Sequence, residues 1–441
     1  MLHRGCIRPA MFGKAVLLAA GLAAFAATPA LAHGKHHQRH LRHHNSGSSA
    51  PLKAVYTEDN SPGTNHVLVF ARGSNGTIPK TPTQVVASGG GGLQTQPPFG
   101  FPMVDSQGAL DLTQDGSLLF AVNAGSNSIS SFKVTSSGPH LVDTISSGGT
   151  EPISLTHNGH LLYVLNEDSG NIAGFWFSDN GDLSAIPHSS QSLATPGPGG
   201  VSAQIGFSPD GSILTVTERC FQGCPLAPFG LIDNFRMRWN GTPDPVRPHP
   251  GDAPIPFGFA YQNSHNLIVT YVGYVATPSG AAPSPPDPVQ FNGFVGSDIV
   301  NRWAGLAPNG TIPAGGRGTC WIAITGDGKY AFITNSLSGY DIPNNIATGI
   351  AGISRLALSS SGKVSLLGTT NLTPDSAGPT FPTDLGLSSD SKFLYVAVPT
   401  LDFGIPTSHL DAYAVGPGGS LTSLGATNDS LAGGISGIVA H

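Results

Sequence analysis

Residues 203–218 read AQIGFSPDGSILTVTE, an apolar run that ends in an Asp-Gly turn and restarts as a second apolar run. Five further copies have the same plan: ALDLTQDGSLLFAV (109–122), ISLTHNGHLLYVL (153–165), FGFAYQNSHNLIV (257–269), WIAITGDGKYAFIT (321–334) and DLGLSSDSKFLYVA (384–397). A seventh copy is divided, because KAVYTEDN (53–60) begins with a second run and GISGIVAH (434–441) is a first run. Asn/Asp-Gly pairs between apolar runs predict tight hairpins with type I′ turns.

Each copy continues into a third and a fourth run, with glycine in the turn between them. These turns are placed at Asn75-Gly76, Gly138, Asn180-Gly181, Asn240-Gly241, Asn309-Gly310, Gly362 and Gly418-Gly419. Seven units of four antiparallel strands predict an all-β fold, a seven-bladed β-propeller. We expect the C-terminal strand (434–441) to close the ring by joining the N-terminal blade, because pairing removes an open sheet edge. The propeller then occupies residues 51–441 as a single domain.

The ends and the composition of the chain indicate an exported protein. Residues 1–32 combine basic residues, an apolar stretch and an Ala-Leu-Ala site, which is typical of a cleaved signal peptide and places the protein outside the cell or in the periplasm. The His-rich residues 33–50 hold almost no apolar side chain, so we expect a disordered leader. Removing residues 1–32 leaves 17 basic against 26 acidic residues, a formal charge of −9, which argues against a nucleic-acid partner. We expect no membrane span and a monomer.

One face of the predicted propeller should carry long loops. The connections from second to third strands reach about 219–229, 274–296, 336–348 and 399–408, whereas the connections from first to second strands are all short. Long loops at one end of a rigid scaffold are where binding sites are usually built. In an oxidising compartment Cys220 and Cys224 can form a disulfide within the first of these loops, which leaves Cys320 as the remaining thiol.

The same face should collect polar side chains at the ends of second strands and the starts of inner strands. The substrate-binding candidates are Glu151, Asn166, Glu167, Gln204, Trp321, Asn335 and Asp384. Glu58, Asp59 and Asp168 are candidate ligands for a divalent cation such as Ca²⁺, which prefers oxygen atoms. No cofactor is required by the sequence. The alternative is that Asn and Asp at strand ends cap loop backbone, and that Trp321 belongs to the core.

Glu218 is the leading catalytic candidate because it directly follows the strand ILTVT. A partly desolvated carboxylate at a channel mouth can act as a general base on water, and Arg219 or Arg317 can stabilise an oxyanion. The alternative is a structural Glu218 bonded to loop amides or to an arginine.

The chain resembles the lactonase-like seven-bladed β-propellers, the group that includes 6-phosphogluconolactonase and 3-carboxy-cis,cis-muconate cyclase. The resemblance is carried by residues 108–134, 170–183, 203–218, 319–335 and 383–396. It implies lactone chemistry at the channel mouth. Its Gly-Pro entry to the fourth blade is present at 197–199, and Glu218 stands where the family has a catalytic Glu.

The other catalytic positions of the family differ in this chain. Ala203 and Gln204 replace an Arg and a His, Glu151-Pro152 stand near the place of a second His, and Ser336 replaces a second Arg. Without the arginines, a phosphorylated or multiply carboxylated lactone loses its anchor. Three functions therefore remain: a lactonase for a neutral lactone or carbohydrate-like ligand, a non-catalytic propeller that binds a glycan, peptide or protein, and a metal-dependent hydrolase.

Overall fold

The computed structural model describes residues 50–93, 104, 106–195, 202–219, 230–273, 292–338, 340–341, 346–347, 351–373, 380–399, 407–429, 431–432 and 434–441. The expected signal peptide and leader lie outside these residues, as do Cys220, Cys224 and most of the four long loops. The described strands form seven sheets with a path of four antiparallel strands each, and one further sheet of two short strands. The predicted seven-bladed propeller is confirmed.

The inner strands surround the channel, and each one begins a sheet. They are Ser436–Ala440 in blade 1, Leu110–Leu112, Pro152–Asn158, Ser202–Phe207, Pro256–Tyr261, Thr319–Ile324 and Asp384–Leu387. Residues at the start of these strands lie on what we call the mouth face, and the opposite side is the tight-turn face. In blades 3, 4, 5 and 6 the pairing of the inner strand shifts register near its start, which is a β-bulge.

The second strands are the most deeply buried. They are Ala54–Glu58, Leu118–Asn123, Leu161–Asn166, Ile213–Glu218, Asn266–Tyr271, Tyr330–Asn335 and Phe393–Pro399. In five of the seven, every residue is buried. Their continuous apolar sequence follows from this position, because adjacent blades cover both faces of the strand.

The outer half of each blade holds a third and a fourth strand. The third strands are His66–Ala71, Ser128–Thr135, Asn171–Phe177, Leu231–Arg236, Asn292–Val300, Gly352–Leu358 and Thr407–Val415. The fourth strands are Gln84–Ala87, Gly138–Ser146, Leu183–Ala185, Arg247–Pro250, Leu306–Arg317, Val364–Asn371 and Leu421–Ala426. The short strands Gln191–Ser192 and Leu431–Ala432 add to blades 3 and 7, and Tyr340–Asp341 pairs with Ile346–Ala347. Two 3₁₀ turns, Ala124–Ser126 and Pro417–Gly419, complete the described elements.

The ring closes as predicted. Ser436–Ala440 pairs antiparallel with Ala54–Glu58, so that Val55 faces Ala440 and Thr57 faces Ile438. The His441 N–H donates to the Ala54 carbonyl at 3.0 Å. The terminal strand therefore supplies the inner strand of blade 1.

The hairpin turns differ from the predicted type I′. Gly211 has φ +69° and its N–H donates to the Ser208 carbonyl at 2.8 Å, whereas Asp210 keeps a negative φ. This is a type I turn followed by a left-handed glycine, since type I′ needs positive φ at both central residues. The Asp210 carboxylate accepts the Ser212 N–H at 3.1 Å, which stabilises the turn.

The outer turn of blade 5 is also placed differently from the prediction. It lies at residues 301–305, where the Ala304 N–H donates to the Asn301 carbonyl at 3.0 Å. Asn309-Gly310 lies inside the fourth strand, next to a register shift between Ser297 and Asp298. The prediction was wrong because glycine occurs at β-bulges as well as in turns.

Candidate functional site

Blades 2, 4 and 6 join the end of the second strand to the third strand through the same pair of positions. Asn123 Nδ2 donates to Ser130 Oγ at 2.8 Å in blade 2, and Asn335 Nδ2 donates to Ser354 Oγ at 2.8 Å in blade 6. In blade 4 the same positions hold Glu218 and Asp233, whose carboxyl groups are hydrogen-bonded. These three second-strand residues are almost completely buried in the seams between blades.

The Glu218–Asp233 pair is held by the connection that leads into blade 4. The Thr195 N–H donates to Glu218 Oε1 at 3.3 Å, and the Thr195 hydroxyl donates to Oε2. The Ala194 N–H donates to Asp233 Oδ2 at 2.7 Å. Both carboxyl side chains are fully buried, and Asp233 Oδ1 receives no hydrogen bond from an N–H or hydroxyl group of the described residues.

Burial raises the pKa of Glu218 well above its usual range, and the charge of Asp233 and the hydrogen bond between the two carboxyls raise this pKa further. Burial also raises the pKa of Asp233, although its bond from Glu218 and the Ala194 N–H offset part of the effect. The pair therefore retains a proton at neutral pH. The pKa of Glu218 is the more strongly raised of the two, so the proton is expected on Glu218.

Arg219 turns away from this pair. Its Nη2 donates to Glu167 Oε1 at 2.6 Å, and both side chains are more than nine-tenths buried. The guanidinium also lies 5.3 Å from the centre of the Phe257 ring, a cation–π contact. Phe257 in turn meets Trp321 edge to face, with ring centres 5.3 Å apart. This series of ionic and aromatic contacts therefore connects blades 3, 4, 5 and 6 on the mouth face.

Trp321 belongs to the core rather than to an open platform. It is fully buried and packs in one cluster with Ala203 and Phe257. Its Nε1 has no hydrogen-bond partner among the residues that the structure describes. Ala203 stands where the resemblance expects an arginine, so an apolar contact replaces a charge there.

Two glutamine side chains form hydrogen bonds with the backbone of inner strands that border the channel. Gln204 Nε2 donates to the Phe259 carbonyl at 3.0 Å, and the Phe259 N–H donates back to Gln204 Oε1 at 2.7 Å. Gln107, at the entry to blade 2, makes the same two bonds with Ile322 of blade 6, at 2.9 and 3.1 Å. Blades 2 and 6 are not neighbours in the ring. Gln107 therefore spans the channel, a role that the sequence did not reveal.

A small cavity lies on the tight-turn side of Gln107. Its volume is about 270 Å³, and it is lined by late inner-strand residues such as Asp111, Phe207 and Tyr261. At its rim Asp111 Oδ2 lies 2.6 Å from His157 Nδ1, and the Asp111 charge raises the pKa of His157. Gln107 and Gln204 also line this cavity.

Asp384 lies beside the Gln107 bridge. Burial raises its pKa to about 8, although hydrogen bonds from the backbone of Leu385, Gly108 and Ile438 and from the Gln107 side chain lower it in part. The predicted substrate residue is therefore bonded to the chain on several sides.

The remaining substrate candidates support loops. Asn166 Nδ2 donates to the Ser147 carbonyl at 3.2 Å, and Asn335 accepts the Thr319 hydroxyl at 3.3 Å. Glu151 has φ +59° and its carbonyl accepts the Glu167 N–H at 2.8 Å. The second arginine proposed for catalysis, Arg317, lies in the connection to blade 6, where its N–H donates to Ser338 Oγ at 2.9 Å. These contacts match the loop-capping alternative.

The three metal candidates are not brought together. Asn65 Nδ2 donates to Glu58 Oε2 at 2.9 Å, Asp59 Oδ2 lies 2.9 Å from His66 Nδ1, and Asp168 is exposed. Within the described part of the chain, no group of three or more His, Cys, Asp or Glu side chains has a metal-binding arrangement. The described helices include none that is long and apolar enough to span a membrane.

Blade 5 contains a buried carboxyl group that the sequence did not single out. Asp298 is fully buried, and neither of its oxygens has a hydrogen-bond partner among the described residues. Burial and then the charge of Asp252 raise its pKa to about 8. The equivalent position holds Phe132, Phe175, Phe235, Leu356 and Tyr413 in other blades. A signal was available, since a carboxylate here interrupts an aromatic position of the repeat.

Residues 39–203 match the family described as "Lactonase, 7-bladed beta-propeller". A solved structure assigned as a 6-phosphogluconolactonase from Bacteroides uniformis has 17% identity and a TM-score of 0.58, over 88% of this chain and 99% of that one. Its counterpart from Bacteroides fragilis has 16% identity and a TM-score of 0.57, over 89% and 99%. A functionally unknown protein from Desulfotomaculum acetoxidans has 11% identity and a TM-score of 0.55, over 88% and 99%. No curated protein matches the sequence. The resemblance to the lactonase-like propellers is confirmed, and the solved structures support the fold.

Proposed function

We propose that this protein is a secreted lactonase-like hydrolase that opens a neutral lactone, with the Glu218–Asp233 pair as its acid–base group. The pair is the observation that carries the proposal. Two carboxyls that share one proton give a site both a proton donor and a proton acceptor, and strongly shifted pKa values often mark functional groups. Glu218 also stands at the position that the resemblance assigns to a catalytic Glu.

In this mechanism the ionised member of the pair accepts a proton from water as the water oxygen attacks the lactone carbonyl carbon. The ester bond to the ring oxygen then breaks, and the protonated member donates its proton to the leaving alkoxide. The product is an open hydroxy acid, and the pair again holds one proton. General acid–base catalysis of this kind contributes about 100- to 10,000-fold.

The charges near the pair favour a neutral substrate. Arg219 is already paired with Glu167, and Ala203 and Gln204 stand where the family has cationic or ionisable side chains. A phosphate or a second carboxylate on the lactone would therefore lack the family's arginine at Ala203 and would meet Arg219 already paired with Glu167. We further propose cleavage near Ala32 and a monomeric state, which N-terminal sequencing and light scattering of the secreted protein test.

The decisive experiment compares Glu218→Gln and Asp233→Asn with the wild type on a panel of neutral lactones. We expect each variant to lose at least about 100-fold in kcat/KM. Glu58→Gln is the matched control, because Glu58 is a buried carboxyl at the end of the second strand of blade 1. Hydrolysis that survives Glu218→Gln removes the pair from the mechanism.

A second candidate is a non-catalytic binding propeller, and complete burial of both carboxyls favours it. In blades 2 and 6 the same positions hold a structural amide and hydroxyl. If the wild type hydrolyses no lactone of the panel, while calorimetry detects binding of a lactone or a neutral sugar, this second function replaces the first.

A further inference from the structure

The outer turns of blades 4 and 5 differ from those of the other five blades. Those five turns have small residues: GSNG (73–76), TSSG (135–138), SDNG (178–181), SSSG (359–362) and GPGG (416–419). Blade 4 has RWNG at 238–241, and blade 5 has NRWA at 301–304. Two neighbouring blades therefore present Arg-Trp where tight turns normally have small polar residues.

These residues form one continuous surface, which we call the Arg-Trp row: Trp176, Arg236, Arg238, Trp239, Arg302 and Trp303. Arg236 and Arg302 lie 4.7 and 5.0 Å from the centre of the Trp303 ring. Arg236 and Arg238 share Asp244, at 3.8 and 2.6 Å. The turn with Trp239 packs against Trp176, whose ring lies beside Gly241. The row thus crosses the outer edge of blade 4 from blade 3 to blade 5.

The tryptophans are exposed although both turns are rigid. The exposed fractions are 98% for Trp239, 50% for Trp303 and 40% for Trp176. In the blade 4 turn the Gly241 N–H donates to the Arg238 carbonyl at 3.0 Å, and Tyr163 Oη donates to the Gly241 carbonyl at 2.8 Å. Because the turn backbone is already fixed, a ligand that covers the ring costs only the ordering entropy of the side chain.

The blade 5 turn is anchored equally well. Asn301 Oδ1 accepts the N–H groups of Trp303 and Gly305 at 2.9 and 3.1 Å, and the Ala304 carbonyl accepts His249 Nε2 at 2.8 Å. Trp303 therefore holds the Arg236 and Arg302 guanidiniums against its ring. Stacked guanidiniums keep their N–H edges available for a carboxylate.

The row is basic within an acidic protein. Three guanidiniums against the Asp244 carboxylate give a local charge of +2 (3 − 1), whereas residues 33–441 carry −9 (17 − 26). Three of the four tryptophans lie here. The indoles are separated by charged groups, which is unlike the charge-depleted centre of a protein–protein interface.

We propose that the Arg-Trp row binds an anionic polysaccharide with carboxylated pyranose units. The positively polarised C–H face of a pyranose fits the negative face of the exposed Trp239 indole. Arg236, Arg238 and Arg302 provide bidentate donors for the carboxylates. The row lies on outer turns, so it binds independently of the chemistry at Glu218.

The experiment measures binding of the full secreted chain to polygalacturonate by calorimetry at pH 8, where the histidines of residues 33–50 are neutral. We expect Trp239→Ala and Arg302→Ala each to weaken binding about tenfold or more, and the affinity of the wild type to fall with added salt. Lys329→Ala/Leu366→Ala, which removes an exposed cation and an exposed apolar side chain from blade 6, should bind like the wild type.

Three results would overturn the proposal. They are absence of polygalacturonate binding by the wild type, equal binding by Trp239→Ala, and equal affinity for polyglutamate or single-stranded DNA, which lack carboxylated pyranose rings. Trp239 is almost fully exposed, so its removal should leave the melting temperature unchanged and the comparison valid.

Discussion

Blade 4 places two carboxyl groups, Glu218 and Asp233, where blades 2 and 6 place an amide and a hydroxyl. The backbone pairing is the same in all three blades, and the side chains are buried in each. Amide–hydroxyl pairs need no ionisation to satisfy each other. The carboxyl pair must keep a proton to do so, which makes blade 4 sensitive to pH. The same pair of positions thus holds neutral side chains in blades 2 and 6 and titratable side chains in blade 4.

Blade 4 also differs from blades 2 and 6 by a neighbouring charge. Removal of this charge should have the largest effect on stability. Arg219 follows Glu218, whereas Ala124 and Ser336 hold the equivalent positions. Arg219→Met leaves Glu167 buried without this countercharge, so we expect the free energy of unfolding to fall by about 3–5 kcal/mol. Urea denaturation measures the loss. The double variant Arg219→Met/Glu167→Gln should recover most of it, and a double variant as unstable as the single one would contradict this account.

Introduction of a carboxyl group into blade 6 should have the next largest effect on stability. Asn335→Asp places a carboxylate beside Ser354 and loses the donor that the Ser354 hydroxyl accepts. We expect a loss of about 1–3 kcal/mol at pH 8. The loss should shrink at pH 5, because the buried carboxyl can then take up a proton. Asn75→Asp, in the exposed outer turn of blade 1, is the matched control, and equal losses at both sites would show that burial does not matter.

The pH dependence of stability should also distinguish the titratable pair of blade 4 from the neutral pairs of blades 2 and 6. The folded state holds protons on Glu218 and Asp384 well above the pKa near 4 of an unfolded carboxyl. Since the folded state binds more protons, stability is greatest below about pH 4 for these groups and is lost as pH rises through their folded pKa values. We expect Glu218→Gln to flatten the curve between pH 5 and 9, and a curve parallel to that of the wild type would contradict the shifted pKa.

Substitution of Asp298 should have the smallest effect on stability. Its pKa of about 8 means that deprotonation costs stability as pH rises from about 4 through 8. Asp298→Asn removes this titration with little change of shape, so the variant should gain about 1 kcal/mol relative to the wild type between pH 7.5 and pH 9. Thermal unfolding at both pH values measures the gain. Asp244→Asn, at a half-exposed carboxylate of blade 4, is the control.

The sequence was sufficient for the repeat and its closure, because alternating runs and turns repeat seven times and one repeat is divided between the chain ends. The turn type was wrong because Asp210 holds the Ser212 N–H and leaves the positive φ to Gly211 alone. A single-residue bulge also moved the expected outer turn of blade 5. Local hydrogen bonds of this kind have no periodic signature.

The ends of the second strands were predicted correctly, but the directions of their side chains were not. Strand ends correctly located Glu218, Asn166 and Asn335 on the mouth face. Their side chains point into the seams between blades, and a bulge between Ser202 and Gln204 changes the direction of the residues that follow. Asp233 and Gln107 were missed because each acts through a partner far away in sequence, at Glu218 and Ile322.

The pairing of Ser436–Ala440 with Ala54–Glu58 has a consequence for biosynthesis. A ribosome releases three of the four strands of blade 1 long before the inner strand exists, so the edge of Ala54–Glu58 stays unpaired until the end of translation. Such an edge is a template for pairing with other chains. The ring can therefore close only after Ser436–Ala440 has been synthesised.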